Sequence, residues 1–223
     1  MKISALLLCL LPAVAFAQDP VPAPAPAAPT LAWPGYHQHD GFYLSMNIGP
    51  ALGGTIIKAS GSDAGYDKLI LRGPGAVIDF KIGGIIAPDL ALSFDLIVRS
   101  INDPEGEQDG VNMGNAGSDV TLSDDTYGIG LTRYFMPYNM FVSGTVGMGR
   151  MVVDNGTAKS SSKWGPALHL KVGREWWVGS NWGLGVSAGY GLVIADDKTE
   201  PGYDYKGELT SHQFYVLFNT TYN

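Results

Sequence analysis

The chain has 223 residues, with 14 Lys+Arg against 21 Asp+Glu for a formal net charge of −7, 30 glycines and a single cysteine. That length supports one sizeable domain, and an acidic balance with no concentrated basic stretch argues against a nucleic-acid partner. With Cys9 alone, intrachain crosslinks are excluded as the source of stability.

Lys2 opens a short positive region, Ile3 to Val14 form an apolar stretch, and Ala15-Phe16-Ala17 supplies the small residues of a signal-peptidase site. Residues 1–17 therefore read as an export signal cleaved before Gln18. The run is too short for a membrane-spanning helix, which takes about 20 apolar residues. Leu8 stands where a lipoprotein signal carries a small residue, so Cys9 is not read as a lipidation site.

Residues 18–40 begin with a Pro/Ala tract to Thr30, expected as an extended, polyproline-like linker and not as a docking motif. At its end His37, His39 and Asp40 offer two imidazoles and a carboxylate, but no further ligand residue accompanies them. The segment is expected as a solvated collar, and no metal is assigned to it.

From Gly41 onward the pattern is alternation with period two. Phe42, Leu44, Met46 and Ile48 alternate with Tyr43, Ser45, Asn47 and Gly49. Segments centred on Phe80, Phe94, Ile129, Val146, Leu170, Val186 and Phe218 continue it, which makes eight strands of about ten residues, the length a tilted strand needs to cross a bilayer. The connections at Ala87-Pro88-Asp89, Pro137-Tyr138-Asn139 and Val178-Gly179-Ser180 are short and the other four are long. Short turns on one rim and long loops on the other mark a membrane barrel.

The residues between the apolar alternates are mostly Gly, Ser and Thr with a few charges, suited to the crowded interior of a narrow barrel. In the lipid-facing register the charges are Arg133, Arg150 and Arg174, all near strand ends, where a cation costs about 0 to 1 kcal/mol against about 2 to 4 at mid-depth. Tyr134, Phe135, Tyr138, Trp176, Trp177, Trp182 and Tyr222 are expected as an aromatic belt at the membrane-water interface. The fold class is all-β: an eight-stranded antiparallel up-and-down transmembrane β-barrel over residues 41–223.

The runs His39-Asp40-Gly41-Phe42-Tyr43-Leu44, Gly128-Ile129-Gly130-Leu131-Thr132-Arg133-Tyr134-Phe135 and Gly173-Arg174-Glu175-Trp176-Trp177-Val178-Gly179-Ser180-Asn181-Trp182-Gly183-Leu184-Gly185 resemble the small outer-membrane β-barrel proteins of Gram-negative bacteria, and within them the myxobacterial-type barrels. Such barrels commonly end on an aromatic residue, whereas Asn223 follows Tyr222 here. The resemblance implies an outer-membrane location with long loops outside and a periplasmic linker. Its implied partners are outer-membrane lipid and lipopolysaccharide, with the barrel-assembly machinery during insertion, and it implies no cofactor. A monomer is the expected state.

Asp79, Lys81, Asp95, Arg99, His169, Lys171 and Glu175 fall on the inward register and are expected as an interior polar network, with Lys81 opposite Asp95. A plug that closes the bore is the plainer reading of this set, and a conduction path the sharper one. Asp103, Glu105, Glu107, Asp109, Asp119, Asp124 and Asp125 lie in a segment with no Lys or Arg from Ser100 to Thr132. Their spacing does not match a calcium loop, so a solvated, mobile surface loop is expected. Ser211 and His212 are the nearest approach to a catalytic pair, yet adjacent strand residues face opposite sides, so no catalytic residue is assigned. The functional expectation is a non-enzymatic barrel acting through its outer loops in a structural, adhesion or surface-interaction role. A narrow channel for small or hydrophobic solutes is the alternative, and a lipid A-modifying enzyme stands behind both.

Overall fold

The computed structural model describes residues 39–198, 202 and 204–223. The expected signal peptide, most of the expected linker, His37 and Gln38 lie outside the described residues. The strands are β1 (Phe42–Ser60), β2 (Lys68–Ala87), β3 (Leu90–Asn102), β4 (Glu105–Gln108), β5 (Val111–Asn115), β6 (Thr121–Phe135), β7 (Met140–Asp154), β8 (Lys159–Ser161), β9 (Gly165–Trp177), β10 (Trp182–Asp196) and β11 (Lys206–Tyr222). Eight of them, β1, β2, β3, β6, β7, β9, β10 and β11, pair antiparallel in chain order, and β1 closes the barrel by pairing with both β2 and β11. No helix among the described residues is long and apolar enough to cross a membrane.

Period-two geometry sends alternate side chains to opposite faces, and here the faces are inverted relative to a protein folded for water. Phe94, Ile129 and Phe218 are 48%, 53% and 68% exposed, whereas Asp95 and Arg99 are 0% exposed. A belt of outward Leu, Ile, Val and Phe running around all eight strands exceeds the few hundred Å² of contiguous apolar surface a soluble monomer tolerates. The outer wall is a hydrocarbon-facing surface.

The barrel strands run from 13 to 20 residues, longer than the expected ten. Pro50 and Gly53-Gly54 in β1, and Gly73-Pro74-Gly75 in β2, interrupt the apolar alternation without ending the ladder, which continues in register to Lys58 and Lys68. All the surplus length lies toward the long-loop rim. There the acidic segment is an ordered hairpin, not a mobile loop: β4 pairs with the extended β2, and Arg72 meets Glu105 and Glu107 at 3.5 Å each. Asp109-Gly110 makes its tight turn with left-handed backbone at both positions (φ 50° and 84°), the conformation a two-residue hairpin turn demands. The loop after β1 and the loop before β11 clasp each other, with Ser62 N donating to Asp204 Oδ2 (3.1 Å) and Asp204 N to Asp63 Oδ2 (2.7 Å). Those bonds from Ser62 hold the Asp204 carboxyl below its ordinary pKa.

Inward glycines act as slots for large neighbours. A Cβ on Gly173 would lie 2.6 Å from Phe141 Cζ, and one on Gly191 2.6 Å from His169 Cε1. Outward Gly144 has only Leu170 Cδ2 nearby, at 3.6 Å. Gly191→Ala should therefore lower the heat-denaturation midpoint by the equivalent of about 1 to 3 kcal/mol, the usual cost of overpacking. Gly144→Ala should leave the midpoint unchanged on the same gel-shift assay.

Candidate functional site

Among the described residues the buried ionisable groups converge in the bore, and its contents form layers. Nearest the short-turn rim, Tyr43, Ala91, Tyr134 and Phe141 make an apolar layer. Beside it Glu175 accepts from Thr221 Oγ1 (2.7 Å), and Thr132 donates to Ser143 (2.9 Å).

The central layer is ionic. Lys81 pairs with Asp95, directly opposite it in the β2–β3 register, and lies 3.9 Å from Asp79. Lys171 reaches across from β9 to Asp79 at 2.7 Å. Thr145 and Ser93 hydroxyls also donate to Asp95, and Asn47 Nδ2 donates to Asp79 Oδ2 (3.2 Å) while Asn219 Nδ2 donates to Asn47 Oδ1 (2.6 Å). Two cations thus share two carboxylates, with amide and hydroxyl donors adding to the pairing.

Ala51, Val77, Ile97, Tyr215 and Leu217 then form a second apolar layer. Beyond it Arg99 meets Asp124 at 2.6 Å, with Ser211 Oγ donating to Asp124 Oδ2 (2.6 Å) and Arg99 Nη2 donating to Ser211 Oγ (2.9 Å). His169 Nε2 lies 3.2 Å from Thr126 Oγ1 on the neighbouring wall. A third apolar layer, Ile57, Met151, Ala167, Val193, Ala195 and Leu209, lies under the long loops, with Tyr66 packed on it.

The structure therefore buries all seven inward residues named from sequence but divides them: Asp79, Lys81, Asp95 and Lys171 form one cluster, Arg99 lies beyond the second apolar layer, His169 packs beside Tyr215 of that layer, and Glu175 stands near the short-turn rim. Asp124 is corrected. β6 begins at Thr121, so the alternation reaches back and turns Asp124 inward, 1% exposed, as the counter-ion of Arg99. Its neighbour Asp125 points outward to Arg150 at 3.1 Å.

The aromatic belt is corrected as well. Phe135, Tyr138, Trp176 and Trp182 are outward, and Tyr222 packs edge-on against Trp182 with ring centroids 5.1 Å apart. Tyr134 is 1% exposed and inward, and Trp177 turns toward the mouth, because residues adjacent to outward Phe135 and Trp176 must face the other way. Both serve a feature the sequence did not suggest. His39, expected in a solvated collar, is buried as a cap on the short-turn mouth, stacked 3.5 Å from the Tyr134 ring and 5.0 Å from that of Trp177. Its Nε2 donates to Asn139 Oδ1 (2.7 Å), and its backbone N lies 3.4 Å from Asp89 Oδ1. Gly41, with φ of 74°, lets the chain fold over the mouth before entering β1. The only advance signal was the Asp-Gly step at Asp40-Gly41.

Among the described residues no cluster of His, Cys, Asp and Glu could hold a metal ion. Ser211 faces inward, while His212 on the outer side pairs with the Tyr190 hydroxyl.

No family model matches the chain, and no curated protein does. Among solved structures it is similar to Neisserial surface protein A (18% identity, covering 79% of this chain and 96% of that one, TM-score 0.43). It is also similar to the outer membrane protein AlkL in lipid bilayers (17%, 90% and 94%, TM-score 0.46) and to the outer membrane protein OprG from Pseudomonas aeruginosa (10%, 83% and 98%, TM-score 0.46).

Lys81→Met leaves Asp95 buried without its cation, a change that costs about 3 to 5 kcal/mol. The expected result is a clear drop in the gel-shift midpoint, and Lys81→Met with Asp95→Leu should recover part of it. Burial pushes the His39 pKa down, against the opposing pull of Asp89 and Asp40. A base with a depressed folded-state pKa contributes stability that is fully present above its unfolded value, about 6.5, and is lost as pH falls below it. The stability advantage of wild type over His39→Gln should therefore shrink between pH 7.5 and 5 in paired thermal melts.

Proposed function

We propose that the protein is a non-enzymatic barrel of a bacterial outer membrane, exported by its signal peptide, with the long-loop rim outside and the short-turn rim in the periplasm. It works through its outer loops in a structural, adhesion or surface-interaction role. One observation supports this reading over conduction: among the described residues three apolar layers alternate with internally paired charges along the bore, an arrangement that opposes a continuous wet path between the two rims. An ion entering the Asp79 cluster would have to break salt bridges and then pass Val77 and Leu217, each 0% exposed. The absence of an assigned catalytic role rests on the opposed faces of Ser211 and His212.

Exposed features sit at the outer rim instead. The β4–β5 hairpin presents Val111 and Met113, 62% and 63% exposed, beside its carboxylates. Replacing residues 105–115 by a short Gly-Ser turn should leave the gel-shift midpoint within a few degrees of wild type while reducing attachment of expressing cells to a surface or to other cells. In planar bilayers the wild-type barrel should give no stable conductance steps, and reproducible steps would reverse the reading in favour of a channel.

A further inference from the structure

On the outer wall, where β6, β7 and β8 meet above the apolar belt, lies a cavity of about 300 Å³. The register builds its floor from outward positions in rows. Thr121 stands beside Asp154 and Lys159, Ser123 beside Val152 and Ser161, and Asp125 beside Arg150. Arg150 contacts Asp125 through Nε and Nη2, both at 3.1 Å and both to the same oxygen, which leaves its Nη1 edge open. Lys159 is 66% exposed and lies 3.3 Å from Asp154. Lys198 reaches the rim, donating to Ser161 Oγ at 2.7 Å.

Three cations, two carboxylates and three hydroxyls make a mixed site. The cations suit a phosphate, and the carboxylates and hydroxyls suit the hydroxyl groups of a sugar. What lies below fixes the rest of the ligand. The Arg150 guanidinium sits 4.9 Å above the Trp164 ring, which packs 5.6 Å from Tyr127. Down the same strands the wall continues through Ile129, Leu131, Val146 and Met148, all outward and apolar. An aromatic shelf between a polar cavity and a hydrocarbon wall marks the headgroup level of a bilayer.

We infer that this cavity seats the phosphorylated sugar headgroup of an outer-leaflet glycolipid, its acyl chains lying on the β6–β7 wall. The inference rests on the orientation proposed above, with the long-loop rim outside. Arg150 and Lys159 hold the phosphate, and Asp125, Asp154, Thr121 and Ser123 read the sugar.

The test uses the refolded barrel in phosphatidylcholine vesicles, titrated with diphosphorylated lipid A, with dephosphorylated lipid A and with inorganic phosphate. Tryptophan emission and the gel-shift midpoint are followed. Diphosphorylated lipid A should raise the midpoint and shift the emission, and Trp164→Phe should remove the shift. Arg150→Gln and Lys159→Ala should each weaken binding about tenfold, the effect of losing one charge-assisted contact. Lys58→Ala, on β1 outside the cavity, should not. Equal binding by wild type and both cavity variants would overturn the site, and an equal response to dephosphorylated lipid A would overturn the phosphate contact. Protection by inorganic phosphate alone would overturn the lipid assignment. A barrel that never inserts into vesicles would overturn the membrane reading together with the site, whereas insertion without selective binding overturns the site alone.

Discussion

A closed ring of eight strands encloses a bore that only side chains can fill, and with hydrocarbon outside no polar group on the wall can turn to water. Every charge that points inward must then find its partner inside. The Lys81–Asp95, Lys171–Asp79 and Arg99–Asp124 pairs answer that requirement. The glycine-rich character of the facing positions follows from the same constraint, since long side chains from one wall need recesses in the next.

Lys81–Asp95 and Arg99–Asp124 join neighbouring strands, but other partners come from distant parts of the chain. Asp79 on β2 and Lys171 on β9 are 92 residues apart, and Asn47 meets Asn219 across the closing β1–β11 seam. Isolated hairpins cannot assemble these contacts, because half of each pair is missing until the ring shuts. The Lys171–Asp79 pair and the Asn47–Asn219 contact therefore await closure, and a shift of register by one residue would send the ionic set into lipid. The interior network specifies the register more than it adds net stability, since the desolvation of buried ions offsets much of their attraction.

Period-two alternation told inside from outside along Phe42–Gly49 and Leu90–Arg99, and the positions of the short turns set which residues stand opposite one another. Strand length was less legible, because Pro50, Pro74 and paired glycines break the apolar pattern while the backbone ladder persists. That truncation hid Asp124, which looked like one more carboxylate of a loop. Tyr134 and Trp177 lie beside belt residues in sequence yet leave the belt, because alternation forces the neighbours of outward Phe135 and Trp176 to the other face. The cap was illegible for a different reason: His39 is held by Asn139 and Asp89, turn residues at remote positions, and by ring stacking that leaves no local pattern.

The surplus length of β1, β2, β6 and β7 has a mechanical meaning. With 15 to 20 residues in place of the expected ten, these strands extend beyond the greasy zone at about 3.3 Å of rise per residue and lift the loop tips on hydrogen-bonded pillars. Tips mounted this way can accept insertions, deletions and rapid sequence drift without disturbing the staves beneath, so evolution is free to rewrite the exterior while the sealed interior stays constant.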